Sequence, residues 1–221
     1  MHADGSVKIR LICGHPRLRW SRALHARPTF DILIHMLAYV FWHWKRVGVQ
    51  VREYESRLRQ FHEALTHSPP DGFTWSWSAA LKTATWANDG NEAYEDWYLV
   101  TGSAALDPLN DAAITASRQI PHDDAAAVAA GGTAGLYRLR AGRAFRAPGV
   151  AHWFAKPKGW SYEKLLDELR PLMSGDVALW GRQMTLGPAR EFCLHANETM
   201  NLPAGIDAQS IPLRSVFPEG A

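Results

Sequence analysis

The chain has 221 residues, of which 47% are hydrophobic and 21% charged, and its formal net charge is +2. This length and composition are typical of one or two globular domains and exclude general disorder. No apolar run approaches the roughly 20 residues that span a membrane, so we expect no membrane partner. Tryptophan is unusually frequent, with ten residues.

Residues 1–37 are predicted to be an N-terminal extension that is either disordered or not native to the protein. Six basic and two acidic residues give the first 35 residues a charge of +4, whereas 18 basic and 20 acidic residues give the remainder −2. Met36 stands directly before the first strong strand pattern and is a candidate translation start; a flexible basic arm and a folded element are the alternatives. Because the rest of the chain has no basic stripe, we expect no nucleic-acid partner.

The two cysteines, Cys13 and Cys193, form neither a CxxC motif nor a metal-ligand spacing. A secretory signal is not expected, because Gly14-His15-Pro16 interrupts the early apolar stretch. A reducing, cytoplasmic location is therefore predicted. Cys193 lies in an apolar run and is predicted to be a buried, unreactive thiol.

The first half of the chain alternates between strand and helix patterns. Residues 38–45 are aromatic and β-branched, as in a strand buried on both faces. Apolar residues then recur at spacings of three and four from Val47 to Leu65, which predicts an amphipathic helix. Two strands and two short helices are predicted next, at 73–78, 94–100, 107–116 and 121–130.

The second half shows similar patterns in a shorter space. Four strands are predicted at 135–140, 150–154, 177–184 and 191–195. A helix capped by Ser161 separates the second of these strands from the third. Residues 197–221 contain three prolines and no periodicity, so they are predicted to form an irregular C-terminal tail.

Two segments of the chain repeat one another. His43-Trp44 and His152-Trp153 each end a predicted strand, and Tyr54-Glu55 and Tyr162-Glu163 follow ten or eleven residues later in a helix. The order strand, helix, strand, strand also repeats. The predicted fold class is therefore α+β, with two tandem ferredoxin-like β-α-β-β repeats at 38–130 and 131–196, antiparallel sheets and helices on the outer face.

This order of elements resembles the dimeric α/β-barrel superfamily, with two copies fused over residues 38–196. The resemblance implies antiparallel sheets that curl around a barrel-like cavity, with helices outside. The superfamily includes cofactor-free monooxygenases, lactone isomerases and haem-using enzymes, so the fold alone does not give the function. Its haem-using branches have a proximal histidine; His122 is the comparable residue here, and its sequence surroundings do not support that role.

The strand tryptophans pose a question that the pattern leaves open. They form either an aromatic core or the wall of a pocket for a small apolar or aromatic molecule. The candidate ligand-binding residues are Trp42, Trp44, Trp75, Trp77, Trp97, Trp153, Trp180 and Arg182.

Three residues are candidate catalytic groups. His43 and His152 hold related positions in the two halves, either across a shared cavity or at equivalent outer positions, and could act as base and acid. One carboxylate of Glu95-Asp96 is expected to point inward among aromatic side chains, which would raise its pKa and make it a base; we assign that role to Asp96. Pairing with Arg138 or Arg182 is the alternative.

The leading hypothesis is a cofactor-free acid/base or oxygenase-type enzyme that binds a small apolar molecule. No cofactor or metal is predicted, because no ligand triad with usable spacing is present. A non-catalytic ligand-binding or interaction protein is the alternative, and a haem-binding protein is the second alternative. The chain is expected either to close its own barrel or to form a homodimer through unpaired sheet edges.

Overall fold

The computed structural model describes residues 36–82, 84–88, 91–184 and 187–219, so the predictions for residues 1–35 lie outside the described residues. Within these ranges the strands are β1 (Leu37–Lys45), β2 (Phe73–Leu81), β3 (Ala93–Val100), β4 (Ala129–Gly142), β5 (Val150–Phe154), β6 (Val177–Arg182), β7 (Phe192–Ala196) and β8 (Ala208–Phe217). The α-helices are α1 (Val51–His67), α2 (Leu106–Ala113), α3 (Gln119–Val128) and α4 (Tyr162–Leu169).

The strands form one closed barrel in the order β1-β3-β2-β8-β5-β7-β6-β4, and every neighbouring pair is antiparallel. The predicted α+β class with antiparallel strands is therefore confirmed. β4 pairs with β1 and closes the barrel, so the described strands leave no open edge of the kind on which the homodimer prediction rested. No helix in the described ranges is long and apolar enough to cross a membrane.

The barrel interior is filled by side chains from alternate strand positions. Trp77 and Trp97 stack there with their ring centroids 5.4 Å apart, and Trp97 also contacts Trp180 at 5.2 Å. Five tryptophans, each at most 1% exposed, share this interior: Trp42, Trp77, Trp97, Trp153 and Trp180. The barrel therefore encloses an aromatic core, which is the first of the two alternatives that the tryptophan pattern left open.

Separate apolar clusters cover the outer face of the barrel. The stripe of α1 packs Leu58 and Leu65 against outward-facing residues of the first strands. In the second half, Leu165 and Leu169 of α4 pack on β5, β6 and β7. The segment 197–207 lies against the same cluster through Met200, Leu202 and Ile206.

The predicted irregular tail is wrong for residues 208–217. These residues form β8, which pairs with β2 on one side and with β5 on the other. Pro212 explains the error, because proline lacks the N–H of a strand ladder and argues against an interior strand. The predicted boundary between residues 130 and 131 falls inside β4, which pairs with both β1 and β6.

Candidate functional site

A cavity of about 660 Å³ lies between the outer face of β1, β3 and β4 and the helices α1, α2 and α3. This volume suits a small-molecule ligand. Most of the lining is aromatic or aliphatic: Tyr39, Phe41, Leu58, Phe61, Leu65, Tyr98, Leu106, Leu109 and Leu136. Alanines of α3, including Ala125 and Ala126, complete the wall.

Strand and helix periodicity place the polar residues of this cavity. His43 follows Tyr39 and Phe41 at spacings of two along β1, so all three face outward. Asp96 and Tyr98 hold the corresponding outward positions on β3. Because α1 crosses this face, Tyr54 and the apolar residues of its stripe turn toward the same space.

His43, Tyr54 and Asp96 form a buried polar cluster at the cavity wall. The Nδ1 atom of His43 is 2.6 Å from the Tyr54 hydroxyl, and its Nε2 atom is 3.1 Å from Oδ2 of Asp96. The second distance is that of an ion pair, although the N–H direction is not aligned as a hydrogen bond. Tyr98 donates its hydroxyl to Oδ2 of Asp96 at 2.9 Å. Each of the two ring nitrogens of His43 therefore has a polar group beside it.

A second histidine, His62, contacts the other oxygen of the same carboxylate. Its Nε2 atom is 3.3 Å from Oδ1 of Asp96, and its Nδ1 atom is 2.7 Å from the hydroxyl of Ser76. The ring of His62 stacks between Tyr98 and Phe217 at 5.2 Å from each. The sequence analysis missed His62, although its place four residues after Leu58 on the apolar stripe of α1 was a signal of burial.

The electrostatics of the cluster keep Asp96 ionised. Burial alone would raise the pKa of this carboxyl, but the charges of His43 and His62 outweigh that effect and hold it well below its usual range. Burial and the Asp96 charge raise the pKa of Tyr54, so its phenol is protonated at neutral pH. The protonated phenol of Tyr54 is placed to donate to Nδ1 of His43, and Nε2 of the same ring faces Asp96.

Glu95, the neighbour of Asp96, is the carboxyl that faces inward. It is fully buried in the barrel and accepts a hydrogen bond from Nε1 of Trp42 at 3.1 Å. Burial raises its pKa to about 8. The alternation argument is therefore right, but the prediction of a raised pKa for Asp96 is wrong, because Asp96 faces the two histidines on the outer surface.

His152 lies at an equivalent outer position of the second half, away from this cavity. Its Nδ1 atom is 2.7 Å from the Ser210 hydroxyl, and its Nε2 accepts from the backbone N–H of Met200. On β3, Asp96 lies two residues after the residue that pairs with His43 of β1. On β7, Ala196 lies two residues after the residue that pairs with His152 of β5. The structure therefore does not bring His152 to the site, and its half has no carboxylate at the corresponding position.

The predicted ligand-binding residues also lie elsewhere. None of the seven candidate tryptophans lines the described cavity; five fill the barrel interior because they occupy inward strand positions. The guanidinium of Arg182 donates to the carbonyl oxygens of Gly187 and Ala189. Trp44 packs beside Gly131, and Trp75 lies 5.9 Å from the guanidinium of Arg146. The residues that do contact the cavity are tyrosines, phenylalanines and aliphatic side chains.

His122 is a lining residue at the α3 side of the cavity. Its Nδ1 atom is 3.0 Å from a carboxylate oxygen of Asp123, and its ring meets the ring of Phe61 edge-on at 5.5 Å. Across the described ranges, no group of three or more His, Cys, Asp or Glu residues is arranged to hold a metal ion.

Comparison with solved structures identifies the fold. A proposed monooxygenase from Fusobacterium nucleatum subsp. nucleatum superposes with a TM-score of 0.58 at 7% identity, over 82% of this chain and 93% of the other. A proposed monooxygenase from Lactobacillus acidophilus gives a TM-score of 0.50 at 11% identity, over 82% and 95%. No protein-family model matches the chain, and no curated protein matches it in sequence. The chain therefore shares the α+β barrel fold of these two structures.

Proposed function

We propose that this protein binds a small, mostly apolar molecule in the outer cavity and removes a proton from it without a resident cofactor. One observation carries the proposal: an imidazole lies at the cavity wall between a phenol at 2.6 Å and an ionised carboxylate at 3.1 Å. His43 is the general base, and Asp96 orients it and compensates the charge that it gains.

The proton transfer balances within these residues. A ligand acid placed against the Tyr54 hydroxyl gives its proton to that oxygen while Tyr54 passes its own proton to Nδ1 of His43. The ligand becomes an anion and His43 becomes an imidazolium beside the Asp96 carboxylate. Tyr54 ends neutral, in agreement with its raised pKa.

An oxygenase-type reaction is the form that we favour among such acid–base reactions. A deprotonated carbon can give electrons to dioxygen; conversion of a methylene and O₂ to a carbonyl and water balances without an external reductant. The apolar lining of the cavity supports this choice, because both O₂ and an apolar ligand partition into apolar surroundings. The two superposed structures are themselves proposed monooxygenases.

We also propose that the chain is a tandem of two ferredoxin-like halves with one functional site. The strands of the first half lie in the order β4-β1-β3-β2, and those of the second half in the order β8-β5-β7-β6. In both halves the fourth strand along the chain lies beside the first, followed by the third and then the second. In the second half, the segment 197–207 packs apolar side chains onto the sheet, and its Met200 N–H binds His152. The corresponding space in the first half is the cavity.

The alternative function is ligand binding without catalysis. In that case, His43, Asp96 and His62 only satisfy one another inside a packed helix–sheet interface, and the cavity holds its ligand unchanged. Haem binding is a further alternative, and a haem titration that gives no Soret band would remove it.

Replacement of His43 by glutamine tests the catalytic proposal. We expect turnover to fall roughly 100-fold, the lower part of the range for a lost general base, while the circular dichroism spectrum stays unchanged. The assay follows oxygen uptake and hydrogen–deuterium exchange with a panel of neutral carbon acids. His67→Gln is the matched control, because His67 is an exposed histidine on the same helix as Tyr54. Equal turnover in wild type and His43→Gln would refute His43 as the base, and no turnover by the wild type would favour the non-catalytic alternative.

A further inference from the structure

The charge of the cavity lining is one-sided. Its carboxylates come from Asp96 at the sheet and Asp107 at the start of α2. Neither lysine nor arginine contributes to the lining that the structure describes. The cavity thus presents negative charge at two places and no permanent positive charge.

The features that could attract an anion already have partners. Asp107 occupies the first turn of α2, where its carboxylate compensates the positive end of the helix dipole. His122 has Asp123 beside it at 3.0 Å. Of the nearby arginines, Arg57 pairs with Asp124 at 2.8 Å, and Arg118 donates to the carbonyl of Ser68.

The carboxylate of Asp96 lies at the cavity wall. The residue is 2% exposed, and its Oδ1 atom accepts no aligned hydrogen bond, although His62 lies 3.3 Å away. A ligand anion that approaches this wall of the cavity would be repelled by the negative charge of Asp96. An anion entering the cavity must also give up its own hydration without gaining a cation.

We infer that the cavity takes molecules that are uncharged in solution, weak acids that ionise only after they are bound, and that it rejects carboxylates, sulfonates and phosphates. This inference rests on the proposed function for the role of His43 but concerns binding alone. A neutral weak acid enters without a desolvated charge. Its anion then forms opposite the imidazolium of His43, so the net charge of the site does not change.

The test compares 2-naphthol with 2-naphthoate, which share a ring system and differ in charge at pH 7. Isothermal titration calorimetry of the full chain at low ionic strength is expected to show naphthoate binding at least about tenfold more weakly than naphthol. Equal or tighter binding of naphthoate would overturn the inference, and so would the absence of binding by both probes.

A pair of charge variants locates the cause of the selectivity. Asp107→Lys is expected to narrow the naphthol-to-naphthoate ratio severalfold, because it places a cation at the cavity wall. Asp111→Lys makes the same charge change on α2 at a residue that does not line the cavity, and should leave the ratio unchanged. Equal effects of both variants would show long-range charge rather than selection by the cavity, and would contradict the inference.

Separate measurements of binding and turnover distinguish a failure of this inference from a failure of the proposed function. Naphthol selectivity without turnover of any neutral acid would refute the catalytic proposal and leave the selectivity in place. Turnover of an anionic substrate that depends on His43 would leave the catalytic proposal in place and refute the selectivity.

Discussion

Replacement of Asp96 by asparagine is expected to lower the free energy of unfolding by about 3–5 kcal/mol at pH 7, the usual cost of breaking a buried ion pair. The substitution keeps the shape of the side chain and removes its charge. His43 and His62 would then face an amide at 3.1 and 3.3 Å instead of a carboxylate. Urea denaturation followed by tryptophan fluorescence measures the loss.

The pH dependence of this effect has a definite sign. The folded-state pKa of Asp96 lies below its unfolded value, because the two histidine charges outweigh the cost of burial. Its contribution to stability is therefore complete above about pH 4 and is lost as the pH falls toward the folded-state pKa. The difference in the free energy of unfolding between wild type and Asp96→Asn should therefore decrease as the pH falls below about 4.

Asp111→Asn is the matched control for this measurement. Asp111 is an exposed residue of α2, and loss of its charge should change the stability by about 0.5 kcal/mol or less. A loss below about 1 kcal/mol in Asp96→Asn would mean that the buried carboxylate is not the charge partner of the two histidines, and would remove the basis for His43 as an oriented base.

Local periodicity was enough to predict the elements that build this site. The stripe from Val47 to Leu65 predicted α1, and the strand patterns predicted β1 and β3 close to their observed bounds. The sequence could name both residues, His43 from the repeat and Asp96 from an expected inward position, although Asp96 in fact faces outward. It could not show that they meet, because β1 and β3 are paired across 53 residues of chain.

The directions in which side chains point could not be derived from the sequence. Alternation makes Glu95 and Asp96 face opposite sides of β3, but nothing in the local pattern says which side is the barrel interior. That choice depends on barrel closure, to which β8 contributes although Pro212 argues against a strand there. Whether the strand tryptophans form a core or a pocket wall depended on the same choice. In this closed barrel the inward positions form the core.

The apparent symmetry of the two halves also misled the prediction of the site. The repeat predicts related positions for His43 and His152, and both residues lie on strands, in β1 and β5. Chemistry, however, depends on the neighbours, and Ala196 stands where the pairing register of the first half has Asp96. A repeat in the sequence therefore predicts equivalent positions more safely than equivalent roles.

Replacement of Glu95 by glutamine is expected to stabilise the protein at pH 8–9, the opposite of the effect at Asp96. Glu95 lies in the barrel interior, where burial raises its pKa to about 8 from 4.5. Its neighbours add no compensating cation: burial keeps the thiol of Cys193 and the phenol of Tyr137 protonated, and it lowers the pKa of His195 to about 3. The N–H groups of Trp42 and Trp97 favour an ionised Glu95, but burial outweighs them.

The sign follows from proton binding in the two states. Between pH 4.5 and 8 the folded protein holds the Glu95 proton and the unfolded chain releases it, so wild-type stability falls as the pH rises. Glutamine does not titrate and can still accept from Trp42. The stability of Glu95→Gln relative to wild type should therefore grow across this range by on the order of 3–5 kcal/mol. Urea denaturation at pH 5, 7 and 9 measures the trend.

Glu63→Gln, at an exposed glutamate of α1, should show no such trend. A difference between wild type and Glu95→Gln that stays constant with pH would show that Glu95 is already ionised in the folded barrel, and would require a charge partner inside it.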